Sequence, residues 1–160
     1  MTLARLIASG FGSGFFPVAP GTAGSLAALA LAAAMLWAAP ALLPVAAALA
    51  MFGGLWAVHA ASGQGDPGWV VIDEFAGQWI ALLPLAHASP AGLLLGFLAF
   101  RLLDIAKPGP IGWADRQGGA VAVMADDVLA GAAAAAIVWA AQHIWPEWFG
   151  PEWFGPGGSG

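Results

Sequence analysis

At 160 residues the chain suits a single domain, and its composition is 61% hydrophobic against 8% charged, where soluble domains carry about 25% charged residues. The formal net charge is −5 with four Lys and Arg in all, which excludes the basic footprint that nucleic acid requires. Cys is absent, which excludes disulfides, thiolate catalysis and Cys-based metal sites. A mean hydropathy of +0.83 leaves more apolar surface than a soluble core of this size can hide, so the expected solvent is lipid.

In chain order, Arg5 is a lone charge ahead of an apolar run that breaks at Gly10–Gly14, a poor match to a secretory signal. Five apolar stretches follow, at about 23–38, 42–61, 69–86, 91–106 and 121–145, each bounded by Pro, Gly or charge. Their Ala content favours helix, and Ala and Gly let helix backbones approach in lipid. The expected fold is therefore all-α: a compact polytopic membrane bundle of four or five apolar helices. At 1.5 Å per residue the shorter stretches reach about 24 Å, short of a hydrocarbon core of about 30 Å, so some are expected to be broken or only partly inserted. The single domain is expected over 1–145. The tail 146–160 repeats PEWFG and closes in GGSG, like a linker scar, and carries no expected role.

A hairpin scheme puts the turns near 39–44 and 84–90 on one side of the membrane. The loop at Gly10–Gly24, Asp66–Glu74, Arg101–Arg116 and Asp126–Asp127 fall on the other. All Lys and Arg then gather at one face, and positive charge favours the cytoplasmic side.

Four segments carry the chemistry. In FGSGFFPVAPGTAGS (Phe11–Ser25), glycines permit close backbone approach, and Thr22 or Ser25 could cap a helix whose free N–H groups suit an anion; a plain Gly/Pro loop is the bland alternative. In VVIDEFAGQ (Val70–Gln78), Asp73 and Glu74 are adjacent acids about 100° apart on a helix, so they do not share one ligand site equally. In FRLLDIAKPGP (Phe100–Pro110), Arg101 and Asp104 are three apart and can pair, while Lys107 precedes the Pro that ends the helix. In WADRQ (Trp113–Gln117) and ADDVLAG (Ala125–Gly131), Asp115 and Arg116 suit a loop, and Asp126 and Asp127 are expected to open the last helix. Asp73 has Gly77 four residues on and Asp127 has Gly131, an echo that would let two helices pack closely and bring those acids together. Converging acids with an Arg and a Lys suit Mg²⁺ bridging carboxylates to a phosphate. His59, His87 and His143 are scattered without metal spacing, and the nine Trp suit membrane interfaces.

At these four segments, in this order and spanning roughly residues 10–140, the chain resembles the phosphatidylglycerophosphatase A family of bacteria. Pro67 stands where relatives often place a His, and the stretch Arg116–Gly119 is shorter than in some. The resemblance implies an all-helical, Mg²⁺-dependent phosphatase of the bacterial inner membrane, facing the cytoplasm, that converts phosphatidylglycerophosphate to phosphatidylglycerol among bilayer lipids. On this reading Asp73, Asp104 and Asp127 with Arg101 and Lys107 are the expected catalytic set. Arg101, Lys107, Arg116, Ser13, Thr22 and Ser25 are expected to bind substrate, and Asp73, Glu74, Asp126 and Asp127 to hold the metal. The competing classes are a small transporter with acids along its pathway and a non-catalytic membrane subunit. Charges grouped toward one edge disfavour the transporter, which needs them at mid-membrane.

Overall fold

A computed structural model of the chain describes residues 1–62 and 67–150. Asp66 and the second PEWFG copy with its GGSG end lie outside the described residues. Seven helices occur among those described: α1 (Leu3–Ala8), α2 (Pro20–Ala38), α3 (Leu42–Ser62), α4 (Ile72–Ala81), α5 (Pro90–Ala106), α6 (Pro110–Asp115) and α7 (Gly119–Ile144), with single 3-10 turns at Ser13–Phe15 and Pro146–Trp148. The all-helical expectation holds. The six-residue α1 and α6 escaped the sequence reading because each is shorter than the window in which helical periodicity shows.

Three helices, α2, α3 and α7, are long and apolar enough to cross a membrane, and less than half of each is buried inside the protein. Their outward faces carry large apolar side chains such as Trp37, Leu49, Phe52 and Trp139. In water these would form a large exposed patch; lipid removes that cost.

The expected stretch 69–86 shortens to a ten-residue α4, about 15 Å long. Upstream, the Val71 N–H donates to the Ala8 carbonyl at 2.9 Å, which holds the irregular entry out of the helix. Downstream, Leu82 and Leu83 donate to Trp79 and Ile80 in tight turns and Pro84 cannot continue a helix. The short helix is nevertheless the centre of the molecule. Eight of its ten residues are buried, Asp73 and Ile80 being the exceptions, and it packs against α2, α3, α5 and α7. Trp79 Nε1 donates to the Ala28 carbonyl of α2 at 2.8 Å.

The most extensive contact is between α4 and α7, and two glycines set its closeness. A Cβ on Gly131 would fall on the Gly77 backbone, its carbonyl oxygen included, and a Cβ on Gly77 would lie 2.7 Å from the Asp127 carbonyl oxygen and also meet the Phe100 ring. The echo between Asp73–Gly77 and Asp127–Gly131 therefore corresponds to a real backbone-to-backbone approach.

Two boundaries differ from expectation. Helix α2 begins at Pro20 behind Ala19, which has φ 49°, and no side chain caps it. Neither Thr22 nor Ser25 is a cap, because Pro20, pre-set for the first helical position, starts the helix before them. The packed chain also runs beyond 145. Phe149 is buried, its carbonyl lies 2.6 Å from His87 Nε2, and Ser89 Oγ donates to the Trp148 carbonyl at 3.2 Å. The first PEWFG copy is thus seated against the loop before α5.

Gly131→Ala places a methyl where only backbone can give way. It is expected to destabilise the protein by roughly 1–3 kcal/mol, read as a lower thermal midpoint in detergent, whereas Gly53→Ala in the interior of α3, where an added Cβ meets nothing within 4 Å, is expected to hold or raise the midpoint, because Ala is the better helix former.

Candidate active site

The start of α2, the start of α4, the end of α5, α6 and the first third of α7 border one cavity of about 460 Å³. Asp73, Glu74, Asp104, Asp115, Asp126 and Asp127 all line it, together with Lys107 and Gly21. Six carboxylates thus meet one lining ammonium and the Arg101 guanidinium behind them, a formal charge of −4 when all are ionised.

Asp73 and Glu74 occupy the first turn of α4, where acids complement the helix dipole. Asp126 and Asp127 do not open α7 as expected. The helix begins at Gly119 and has no acid in its first turn, so these two lie two turns inside it, beyond the reach of a dipole that fades within one turn. Asp126 and Asp127 are 5% and 3% exposed. A site of this cost needs partners.

Two cations supply part of what is needed, each joining separate elements. Arg101 Nη1 donates to Glu74 Oε2 at 2.5 Å and to Asp104 Oδ2 at 2.8 Å, tying α5 to α4. Ser25 Oγ of α2 donates to the same Glu74 oxygen at 2.7 Å. A Cβ on Gly21 would collide with the other Glu74 oxygen, so a glycine at the head of α2 is what lets that carboxylate nest there. Lys107 ends α5 in a left-handed conformation, φ 46°, and its Nζ donates to Asp115 Oδ1 of α6 and Asp126 Oδ2 of α7, both at 2.5 Å. Burial alone would lower the Lys107 pKa, but the hydrogen bonds and charges of Asp115 and Asp126 outweigh it and raise the pKa above its ordinary value.

What remains is a triad. Asp104 of α5 and Asp126 and Asp127 of α7 each present a carboxylate oxygen within 4.8 Å of the others. Asp126 Oδ1 and Asp127 Oδ2 are buried and have no hydrogen-bond partner among the described residues. Two buried, unpartnered oxygens beside a third carboxylate form a donor set suited to a hard divalent cation such as Mg²⁺, whose oxygen ligands sit about 2.0–2.1 Å from the ion.

The expected site residues divide accordingly. Asp73, Glu74, Asp104, Lys107, Asp126 and Asp127 line the cavity, and Arg101 and Ser25 stand behind Glu74. Glu74, expected as a metal ligand, has one oxygen engaged by Arg101 and Ser25, while Asp104 joins Asp126 and Asp127. The sequence places Asp104 in the expected catalytic set, able to pair with Arg101, as it does at 2.8 Å; its closeness to Asp126 and Asp127 is what the structure adds. Asp115, which the sequence marked as a loop residue suited to plain solvation, pairs with Lys107. Thr22 sits in the first turn of α2 but does not line the cavity. Two expected substrate contacts lie away from it: Ser13 Oγ donates to the Gly10 carbonyl at 2.9 Å, and the exposed Arg116 folds back beside Gly112.

Residues 6–142 match the family profile described as Phosphatidylglycerophosphatase A. The chain belongs to the phosphatidylglycerophosphatase A family. The match spans every element that borders the cavity. Among relatives, the chain is 39% identical to phosphatidylglycerophosphatase A of Escherichia coli K12 over 89% of this chain and 85% of that one. It is 38% identical to the Haemophilus influenzae Rd protein of the same name over 87% and 88%. It is also 43% identical to a Bacteroides thetaiotaomicron protein whose provisional name is phosphatidylinositol-3-phosphatase, over 79% and 85%. No solved structure matches the chain.

A group whose folded pKa is raised stabilises the fold fully below its unfolded pKa and loses that contribution only as pH rises through the folded value. For Lys107 the unfolded value is near 10.4, so the full contribution is present throughout the neutral range. Lys107→Met is expected to lower the thermal midpoint by the same amount at about pH 6 and about pH 9, measured as paired melting curves with the unsubstituted protein.

Proposed function

We propose that the protein hydrolyses the terminal phosphate monoester of phosphatidylglycerophosphate, with Mg²⁺ held by Asp104, Asp126 and Asp127. The observation that carries this reading is the convergence of those three buried carboxylates with two unpartnered oxygens. It is supported by family membership and by relatives named for that activity. An acid-rich cavity by itself repels a phosphate dianion: two unit charges 4 Å apart interact by about 4 kcal/mol at an effective dielectric of about 20. Bound Mg²⁺ supplies positive charge for the phosphate oxygens and lowers the pKa of a coordinated water.

The chain's own residues do the rest. Lys107 holds Asp126 in place and partly neutralises the α6–α7 side of the cavity. Arg101 fixes Asp104 through the 2.8 Å contact and neutralises Glu74. The first-turn N–H groups of Gly21 and Thr22 lack intrahelical acceptors and lie at the positive end of a 19-residue helix; Gly21 lines the cavity, so this end favours the phosphate. In this reading Asp73, which lines the cavity and is more exposed than Glu74 or Asp127, takes the proton from an attacking water. The new bond joins the water oxygen to phosphorus, the ester P–O bond breaks, and the lipid leaves as an alcohol after gaining a proton.

The membrane arrangement follows the same reading. The cavity lies at the cytoplasmic face of a bacterial inner membrane, with α2, α3, α5 and α7 as four helical crossings. The fifth crossing combines α4 with the segment 82–89, and non-helical backbone is tolerated at that depth only where protein covers it. Leu82, Leu85, Ala88 and Ser89 are buried, which supports this reading, while Leu83 and Ala86 face outward; Ser89 and His87 meet the chain just past the end of α7.

Purified protein in detergent is expected to release phosphate from phosphatidylglycerophosphate with Mg²⁺ and to stop on chelation. Asp127→Asn is expected to lower kcat by about 100-fold or more, on the scale of removing a main source of transition-state stabilisation, with an unchanged elution profile. Full turnover by Asp104→Asn, Asp126→Asn and Asp127→Asn alike would remove the proposed metal site. Phosphatidylinositol 3-phosphate belongs in the same assay, and faster release from it would reassign the headgroup. Solute flux in liposomes without any phosphate release would replace the phosphatase by a transporter.

A further inference from the structure

A second cavity, of about 540 Å³, lies between α3 and the start of α7 and shares Gly118 and Gly119 with the acid-lined one. Its walls are Phe52, Leu55 and Trp56 of α3 and Val121 of α7, with His59 as the one ionisable lining residue among the described residues. Phe52, Trp56 and Val121 are 67%, 53% and 68% exposed, so this apolar wall opens to the surroundings of the protein. Gly118 and Gly119 have φ 73° and 80°, and an added Cβ at Gly118 would meet nothing within 4 Å. The partition between the two cavities is thus a glycine turn, with no side chain at Gly118 projecting into either space.

We infer that this second cavity seats the diacylglycerol end of the lipid whose terminal phosphate occupies the acid-lined cavity. The inference rests on the phosphatase reading above. A lipid phosphomonoester has a charged head, a short polar junction and an apolar body in that order. The shared glycine turn joins a carboxylate- and lysine-lined space to an apolar one in the same order. His59 lines the apolar cavity and can donate a ring N–H to a phosphodiester seated there. The apolar end of the substrate then stays against α3 and in contact with the bilayer while only the head enters the protein, which removes less apolar surface from lipid than full engulfment requires. The subsite reads the lipid body and not the head, so it would serve any headgroup phosphate that the first cavity accepts.

The test compares kcat/KM for diacyl phosphatidylglycerophosphate in mixed micelles with kcat/KM for its water-soluble deacylated counterpart. Where turnover of the latter is too slow to measure, its inhibition constant is used. Phe52→Ala/Trp56→Ala, which empties the cavity, and Val121→Trp, which fills it from an exposed position, are both expected to lower the preference for the diacyl substrate about tenfold, equivalent to about 1.4 kcal/mol. Trp37→Ala, at an even more exposed tryptophan outside both cavities, is the control and is expected to leave the preference unchanged. An unchanged preference in both cavity variants, or an equal drop in the control, overturns the subsite while leaving the phosphatase reading intact. Failure of the unsubstituted protein to release phosphate from the diacyl substrate overturns both. Because Val121→Trp alters only an exposed side chain, misfolding of the double variant does not rescue or sink the proposal by itself.

Discussion

The backbone-to-backbone approach of α4 and α7 at Gly77 and Gly131 is the constraint on which the rest of the molecule depends. In lipid there is no hydrophobic drive between helices, so close packing has to come from surface that can touch over a large area. Two glycines at the crossing supply it. Each lies one helical turn beyond an aspartate, so closing the crossing also brings the acid-bearing turns of both helices to one cavity. A larger residue at either position would separate the helices and widen the acid cluster together, which couples stability to the site.

Electrostatics then divides the acids by partner. The two cations near the cavity each bridge acids from different elements: Arg101 joins Glu74 and Asp104, and Lys107 joins Asp115 and Asp126. Neither presents itself as a lone phosphate clamp. They offset part of the repulsion among six carboxylates and hold α4, α5, α6 and α7 in register. The acids left over, Asp127 with the second oxygen of Asp126 and with Asp104 beside them, are buried and close together. Such a set is unstable as bare anions and favourable around a divalent cation, so the cost of assembling it is consistent with a catalytic role.

The short central helix resolves an apparent conflict between span length and topology. Helix α4 is too short to cross a hydrocarbon core, yet α5 must start at the end of the molecule away from the acids for its Arg101, Asp104 and Lys107 to reach them. Burial permits it: α4 is sheathed by α2, α3, α5 and α7, and the indole of Trp79 adds a hydrogen bond to α2. Apolar faces outward and a polar cavity at one end follow from the same arrangement. The lipid-contacting surface can then adjoin the cavity across nothing more than a glycine turn.

Helix as the sole element type, the approximate limits of α2, α3, α5 and α7, the family and the acidic residues were all legible in the linear chain. These depend on local quantities: Ala propensity, apolar run length, Pro and Gly punctuation, and short motifs in order. The Gly77–Gly131 contact was also legible, because helical spacing places each glycine on its aspartate's face. The tertiary structure alone decided the division of labour among the charges. Adjacent Asp73 and Glu74 both line the cavity, but Glu74 is also tied to Arg101 and Ser25. Asp104 joins Asp126 and Asp127 only because α5 runs back beside α7, and Arg116 turns away because α6 ends before it. Partner choice for a charge is set by distances across elements far apart in the chain, and no local pattern encodes those distances.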